Sequence, residues 1–121
     1  MSKGLDFYNQ QLAYLTAGDV EGLMRDLYHE DAEMVSFEFV LKGREAIKKY
    51  LAEDEPAQAG KILSFETVHF AESDDVIMFT ARVQSEKMGT FIDRDALCLR
   101  EGKVARHLSL TLPPDKDPKT D

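Results

Sequence analysis

The residues best suited to chemistry are an aspartate and a histidine that flank one turn near the C-terminal end of the chain. By the two-residue alternation of a strand, Asp95 shares a face with Leu97 and Leu99. A carboxyl group in such apolar surroundings loses hydration, so its pKa rises and it can exchange a proton near neutral pH. The alternative is a solvated carboxylate at a strand start, paired with Arg94 or Arg100.

His107 follows the same turn and lies on one strand face with Ser109. Counting outward from the turn Glu101-Gly102 places position 95 opposite position 107 or 108. An Asp–His pair in a pocket can shuttle protons, because the carboxylate fixes the tautomer of the imidazole. The alternative is a histidine on the outer face of the sheet, where water or a hydrogen bond satisfies it.

Other kinds of site are disfavoured by composition and spacing. The chain has 15 Lys and Arg against 23 Asp and Glu, a formal net charge of -8, so it lacks the cationic surface that nucleic acid or an anionic membrane requires. It has one cysteine, Cys98, and no His-x-His, Cys-x-x-Cys or His-Glu-x-x-His spacing, which disfavours a disulfide or a metal site. No secretion signal or membrane span is evident, so we expect a cytoplasmic protein.

The elements that must position Asp95 and His107 follow from periodicity and turn chemistry. Leu5, Tyr8, Leu12 and Leu15 predict one amphipathic helix, which ends at Gly18. Asp19 then caps a second helix, and Gly43 introduces a third. Five strands are predicted, at residues 33–40, 61–72, 76–86, 90–100 and 103–112. A loop is predicted at residues 54–60, between the third helix and the second strand.

Helices followed by strands predict an α+β fold, with three N-terminal helices packed on one face of an antiparallel sheet. The length of 121 residues suits one domain, which we place at residues 1–112. Residues 113–121 are polar and rich in proline, and we predict a disordered tail.

Four short motifs along this order resemble the SnoaL-like and ketosteroid-isomerase-like branch of the nuclear transport factor 2 superfamily. They are Ala17-Gly18-Asp19, Asp31-Ala32, Gly43-Arg44-Glu45-Ala46-Ile47 and Glu101-Gly102-Lys103-Val104. They are caps, turns and packing signals, so they indicate a scaffold and leave the chemistry open. The resemblance implies that the sheet is strongly bent into a cone with a pocket at its open end.

The resemblance also implies roles for individual residues. Asp95 matches the position of a pocket carboxylic acid that donates a hydrogen bond to a developing oxyanion, and the position of His107 lines the pocket. Gln11 matches the oxyanion-binding tyrosine of the first helix, and Tyr14 lies one turn further on. Ser36 falls where the isomerases carry their catalytic aspartate, and a neutral serine cannot abstract a proton from carbon, so a steroid-isomerase mechanism is disfavoured.

The pocket lining predicted by the resemblance comes from the middle strands. Alternation places Ile77, Phe79, Ala81 and Val83 on one face, while Arg82 takes the convex face through which the family often dimerises. The substrate-binding set is Phe79, Ala81, Val83, Leu97 and Ser36.

Two functions are therefore open. One is a cofactor-free isomerase, cyclase or lyase acting on a hydrophobic, carbonyl-bearing small molecule, with Asp95 as general acid or base and His107 as its partner. In that enzyme Gln11 or Tyr14 supplies an orienting donor, and a homodimer is expected. The other is a non-catalytic small-molecule-binding or dimerisation module on the same scaffold, which the absence of the first-strand aspartate favours.

Overall fold

The first two helices lie at the positions that the capping residues predict. In the computed structural model, which describes residues 2–114, α1 (Lys3–Ala17) ends at Gly18, whose φ of 70° is left-handed. The side chain of Asp19 accepts a hydrogen bond from the Gly22 amide at 2.8 Å and caps α2 (Val20–Leu27). The buried face of α1 centres on Tyr8 and Gln11, whereas Leu15 is exposed.

The third helical segment is longer than the sequence predicts. α3 (Arg44–Lys49) continues without a break through a π-helical turn (Tyr50–Asp54) into α4 (Glu55–Ala59). The predicted loop at 54–60 is thus wrong for all but its end, where Gly60 closes the helix with a φ of 70°. Pro56 predicts a turn, but the helix continues through it. Pro56 lies in the first turn of α4, just after the π-helical turn, where the helix tolerates a residue without an N–H group.

Within residues 2–114, six strands form one open sheet. Their spatial order is β2-β1-β6-β5-β4-β3. The strands are β1 (Tyr28–Val35), β2 (Val40–Lys42), β3 (Ile62–Glu72), β4 (Val76–Ser85), β5 (Gly89–Arg100) and β6 (Lys103–Leu112). The four C-terminal strands lie within one residue of their predicted limits. The first strand starts earlier than predicted, and β2 is a short strand that the sequence patterns do not predict.

The predicted α+β class is confirmed, with one difference in the sheet. β1 runs parallel to β6, while the other neighbouring strands are antiparallel, so the sheet is mixed rather than antiparallel throughout. A parallel pair is possible here because most of the chain separates the two strands. The predicted tail at 113–121 falls mainly on residues 115–121, which lie outside the described residues.

The core lies between the helices and the inner face of the sheet. It includes Leu23 and Leu27 of α2, Ile47 of α3, and Ile77 and Leu97 of the sheet. Within residues 2–114, no helix combines the length and the apolar character needed to cross a bilayer.

Candidate functional site

The inner face of β5 and β6 carries the predicted pair. Asp95 lies opposite Ser109, and His107 lies opposite Leu97, so the aspartate and the histidine are diagonal neighbours. The register differs by one or two positions from the count made outward from the turn because β5 and β6 slip past each other between Cys98 and Leu99. The diagonal still brings His107 Nε2 to 2.7 Å from Asp95 Oδ2.

The pair belongs to a longer hydrogen-bonded chain. The Tyr28 hydroxyl lies 2.8 Å from His107 Nδ1, and Gln11 in α1 hydrogen-bonds the same hydroxyl. At the other end, Ser109 Oγ donates to Asp95 Oδ1 at 3.1 Å. Side chains from α1, β1, β5 and β6 thus meet in one network.

Burial decides the charge of the histidine. His107 is 5% exposed, and this burial lowers its pKa to about 4, against the pull of the acidic groups of Asp93 and Glu55. The imidazole is therefore neutral at neutral pH. We assign its proton to Nε2, which donates to Asp95, while Nδ1 accepts from the Tyr28 hydroxyl.

The carboxyl groups respond to burial in the opposite direction. Burial raises the pKa of Asp95, while hydrogen bonds from Asp93, Ser109 and the Leu110 amide oppose the rise. Burial, the hydrogen bond to Asp95 and the charge of Asp95 raise the pKa of Asp93 well above its usual range. Of the two residues, Asp93 therefore holds its proton more tightly, and the two carboxyl groups share a hydrogen bond.

A third carboxyl group approaches from the helices. Glu55 is the first residue of α4 and is half-buried. Burial raises the pKa of Glu55 to about 7, the charge of Asp93 adds to the rise, and His107 opposes it. The charge of Glu55 in turn raises the pKa of Tyr28 and Tyr50, after the larger effect of burial.

Gln11 occupies the position predicted for it. Its side chain is 3% exposed, and its Oε1 is the buried side-chain polar atom that has no hydrogen-bond partner within residues 2–114. Since its amide group donates to Tyr28, the free carbonyl oxygen remains available as an acceptor.

Two predicted site residues lie elsewhere. The Tyr14 hydroxyl donates to Asp26 Oδ2, because the side chain points from α1 toward α2 rather than into the cone. Ser36 lies in the turn after β1, where its hydroxyl donates to Glu38 Oε2 at 2.7 Å. Neither side chain contacts Asp95 or His107 through these bonds, and Ser36 lines a groove on the opposite, convex face of the sheet.

The predicted apolar lining is buried, as alternation requires. Phe79 pairs with Asp95 across β4 and β5, and Ala81 pairs with Asp93. Phe79, Ala81, Val83 and Leu97 all belong to the core. These side chains surround the network with apolar groups and account for its desolvation.

Three site residues escape the reasoning from sequence. The sequence patterns give Tyr28 no role in the site, and they place Glu55 in a loop. Asp93 lies two positions before Asp95, so the same alternation that places Asp95 would have placed it on the inner face. Glu55 has no comparable signal, because its direction depends on the π-helical turn before it.

No group of three or more His, Cys, Asp or Glu side chains in the described part of the chain is arranged to hold a metal ion. What the residues present can do is hold, share and move protons within a desolvated network.

Comparison with known proteins confirms the fold. No family model matches the sequence, and no curated protein matches it. Among solved structures, the chain is similar to an NTF-2 like protein of unknown function from Burkholderia xenovorans LB400, with a TM-score of 0.77 and 19% identity over 96% of this chain and 88% of that one.

Two further structures represent the predicted branch. A hypothetical protein with a ketosteroid isomerase-like fold from Catenulispora acidiphila DSM 44928 has a TM-score of 0.71 and 15% identity over 85% of this chain and 82% of that one. A protein of the SnoaL-like family from Agrobacterium tumefaciens str. C58 has a TM-score of 0.73 and 14% identity over 92% of this chain and 98% of that one. At these identities the likeness establishes the fold, and the reaction has to be argued from the site.

Proposed function

We propose that the protein is a cofactor-free enzyme that moves a proton on a small hydrophobic molecule bearing a carbonyl group. The observation that supports this most directly is the buried contact of 2.7 Å between His107 Nε2 and Asp95 Oδ2, continued to Tyr28 at 2.8 Å. Buried ionisable groups are costly to a fold, and their pKa values are shifted most often where chemistry needs them. An isomerase, a cyclase or a lyase would each use such a network.

The apolar surroundings favour a hydrophobic substrate. Phe79 and Leu97 flank the network, and Tyr8 packs on Phe79 with ring centroids 4.7 Å apart. A carbonyl group fits the chemistry because a proton on the adjacent carbon becomes acidic when a hydrogen-bond donor stabilises the resulting oxyanion.

The test is proton exchange at carbon. The ketone 2-tetralone in D2O, followed by NMR, reports removal of its α-protons without knowledge of the natural substrate. We expect the wild-type protein to accelerate the exchange, and Asp95→Asn to slow it by about 10- to 100-fold while the protein stays folded. Asp75→Asn is the matched control, because Asp75 is exposed in the turn before β4.

Exchange no faster than in buffer, over a panel of hydrophobic ketones, would contradict the proposal. That result would favour the alternative of a non-catalytic binding module, which the serine at position 36 already suggests. Binding of the same ketones, measured by calorimetry, would then identify that alternative directly.

We also propose that the protein is a homodimer that pairs through the convex face of the sheet. A groove of about 290 Å³ crosses this face. Its apolar lining consists of Val35, Phe37, Met78, Ala96, Leu108 and Leu110. Phe37 is 89% exposed, which is unusual for a large apolar side chain.

A second copy suits this surface because the apolar groove is flanked by both signs of charge. Arg94 lines it, and Arg106 and Glu33 lie 3.9 Å apart on the neighbouring strands. A copy related by a twofold axis would cover the apolar groups and set acidic groups opposite basic ones. We therefore commit to a second copy of this chain as the occupant.

A further inference from the structure

One row of apolar side chains crosses the convex face at the centre of the groove. Val35 on β1 lies level with Leu108 on β6. Leu108 in turn lies opposite Ala96 on β5, which lies opposite Met78 on β4. The four strands are neighbours in the order β1-β6-β5-β4, so the row is roughly 14 Å long. All four side chains line the groove, and the row therefore forms its floor.

The two central side chains of this row differ in size. Leu108 is 42% exposed and rises from β6, whereas Ala96 beside it on β5 is half-buried and carries a single methyl group. The face therefore has a ridge at Leu108 and a hollow at Ala96. Two sheets that pack face to face interdigitate their side chains, so a ridge on one sheet requires a hollow on the other.

A twofold axis parallel to the strands brings ridge and hollow together. Placed between β5 and β6, it lays the order β1-β6-β5-β4 of one copy over the order β4-β5-β6-β1 of its partner. Leu108 of each copy then lies over Ala96 of the partner, and Val35 lies over Met78. An axis across the strands at this row would lay each strand over its own counterpart, so that Leu108 meets Leu108 while two alanines face each other across a void.

The turn between β1 and β2 holds Phe37 out at one end of the groove. The Ser36 amide donates to the Phe39 carbonyl at 2.9 Å, and the Glu38 amide donates to the Ser36 hydroxyl at 3.0 Å. Phe39 packs against Tyr50, with ring centroids 4.6 Å apart. A ring presented on a turn that is fixed in this way loses little conformational entropy when a partner covers it.

The axis along the strands gives Phe37 a place on the partner. Since β1 of one copy lies over β4 of the other, the ring reaches the end of the groove that Met78 lines. A thioether and an aromatic ring attract each other when the sulfur lies about 5 Å from the ring. Arg94 lines the same end, where its Nε donates to Thr80 Oγ1 at 3.3 Å, and a guanidinium group also packs favourably on an aromatic face.

Charges at the edges of the face agree with the same axis. The axis lays β2 over β3 of the partner, and Lys42 on β2 is exposed and level with Glu33. Lys42 then lies over the end of β3, next to Asp74 in the exposed turn that follows. Arg106, which pairs with Cys98 in its own sheet, lies over the partner's Cys98 and does not face another arginine. Each copy thus sets a cation beside an acid of the other, and like charges are kept apart.

We propose that the homodimer forms about a twofold axis parallel to the strands, between β5 and β6, with Leu108 of each copy seated on Ala96 of its partner. Phe37 of each copy packs on the partner's Met78 and anchors the pair. This inference rests on the proposed homodimer and specifies both its geometry and its anchor. The hydroxyl-bonded turn at Ser36 serves that anchor by holding the ring outward.

Cross-linking between copies tests the axis directly. In a Cys98→Ser background, one preparation carries Val35→Cys and another carries Met78→Cys. The two are mixed, left to exchange subunits and treated with a bismaleimide that reaches about 10 Å, the separation of two packed sheets. We expect cross-linked dimer in the mixture and in neither preparation alone. Val35→Cys mixed with Leu63→Cys is the matched control, since Leu63 is exposed on β3 away from the groove, and it should give no product.

The dissociation constant of the dimer, measured by sedimentation, tests the packing. Phe37→Ala should raise it by about 10-fold or more, and the fold is unaffected because Phe37 is 89% exposed. Ala96→Leu fills the hollow and should raise it by a similar factor, whereas Ala13→Leu, the same change at an exposed position of α1, should leave it unchanged. Ala96→Leu combined with Leu108→Ala exchanges ridge and hollow and should restore most of the affinity.

The wild-type protein separates this inference from the proposed homodimer. If the wild type is monomeric at every concentration, the homodimer fails and the anchor fails with it. If the wild type is dimeric but Phe37→Ala leaves its dissociation constant unchanged, the homodimer stands and the anchor is overturned. A cross-link within either single preparation, or an Ala96→Leu dimer tighter than the wild type, would overturn the axis along the strands in the same way.

Discussion

The hydroxyl of Tyr28 is the residue-scale link between the helices and the candidate site. It accepts from Gln11 and donates to His107 Nδ1, and Tyr28 is fully buried. Burial raises its pKa, so the hydroxyl is a neutral donor at neutral pH. One oxygen atom thus decides the tautomer of His107 and the orientation of Gln11.

Removing that oxygen tests the network. Tyr28→Phe leaves His107 Nδ1 without its donor and Gln11 without its acceptor, both buried. We expect a loss of about 1–3 kcal/mol in the free energy of unfolding, measured with urea. Tyr14→Phe removes a hydroxyl that bonds Asp26 at the protein surface, and we expect that variant to lose less than about 1 kcal/mol. Equal losses in the two variants would contradict the role assigned to Tyr28.

At the scale of the elements, two irregularities of the secondary structure determine where side chains of the site lie. The π-helical turn presents Glu55, and the slip between β5 and β6 sets His107 diagonal to Asp95. The same slip pairs Val104 with Leu99, and Val104 is fully buried. Alternation alone assigns Val104 to the same face as Leu108, which is exposed.

The close packing of α1 on α2 predicts that Gly22→Ala lowers the free energy of unfolding, although alanine favours a helix more than glycine does. At an exposed helix position, replacing glycine by alanine stabilises by about 1 kcal/mol. Here a β-carbon at position 22 would lie 2.4 Å from Asp19 Oδ2 and 2.8 Å from Tyr14 Cε1. Asp19 is the cap of α2, so it cannot move without losing its bond to the Gly22 amide.

We therefore expect Gly22→Ala to lower the free energy of unfolding by about 1–3 kcal/mol, measured by thermal or urea denaturation. Thr16→Ala, at an exposed position of α1, should change it by less than about 0.5 kcal/mol. A variant Gly22→Ala more stable than the wild type would show that the two helices are packed less closely than this.

At the scale of the whole molecule, the two faces of the sheet have separate tasks. The inner face carries the buried network, while the convex face exposes Met78 and Leu108 by 50% and 42%. An apolar convex face suits the homodimer that we propose.

Leu108→Glu tests that surface. It places a charge in the centre of the groove, and we expect a dimer in the wild-type protein and a monomer in the variant by light scattering coupled to gel filtration. Leu63→Glu is the control, since Leu63 is 61% exposed on β3 at the far end of the sheet. A monomeric wild-type protein, or a dimer unaffected by Leu108→Glu, would contradict the proposed homodimer.

Local sequence patterns predict the first two helices with their caps at Gly18 and Asp19, the four C-terminal strands, and the inner face of β4 and β5. These features depend on hydrogen bonds and alternation between residues close in the chain, so they can be predicted from local patterns. The same patterns brought Asp95 and His107 together, because both flank one turn. The resemblance of a few motifs was sufficient for the fold, and structural comparison confirmed it.

Which further residues join that pair depends on the packing of distant parts of the chain. Gln11, Tyr28, Glu55 and Asp95 are far apart in the chain and meet because helices and sheet pack on one core. Tyr14 and Ser36 lie apart from this network for the same reason, since packing turns the first toward α2 and leaves the second in the turn after β1. The charge states follow from packing as well, because burial is what raises the pKa of a carboxyl group and lowers that of a histidine.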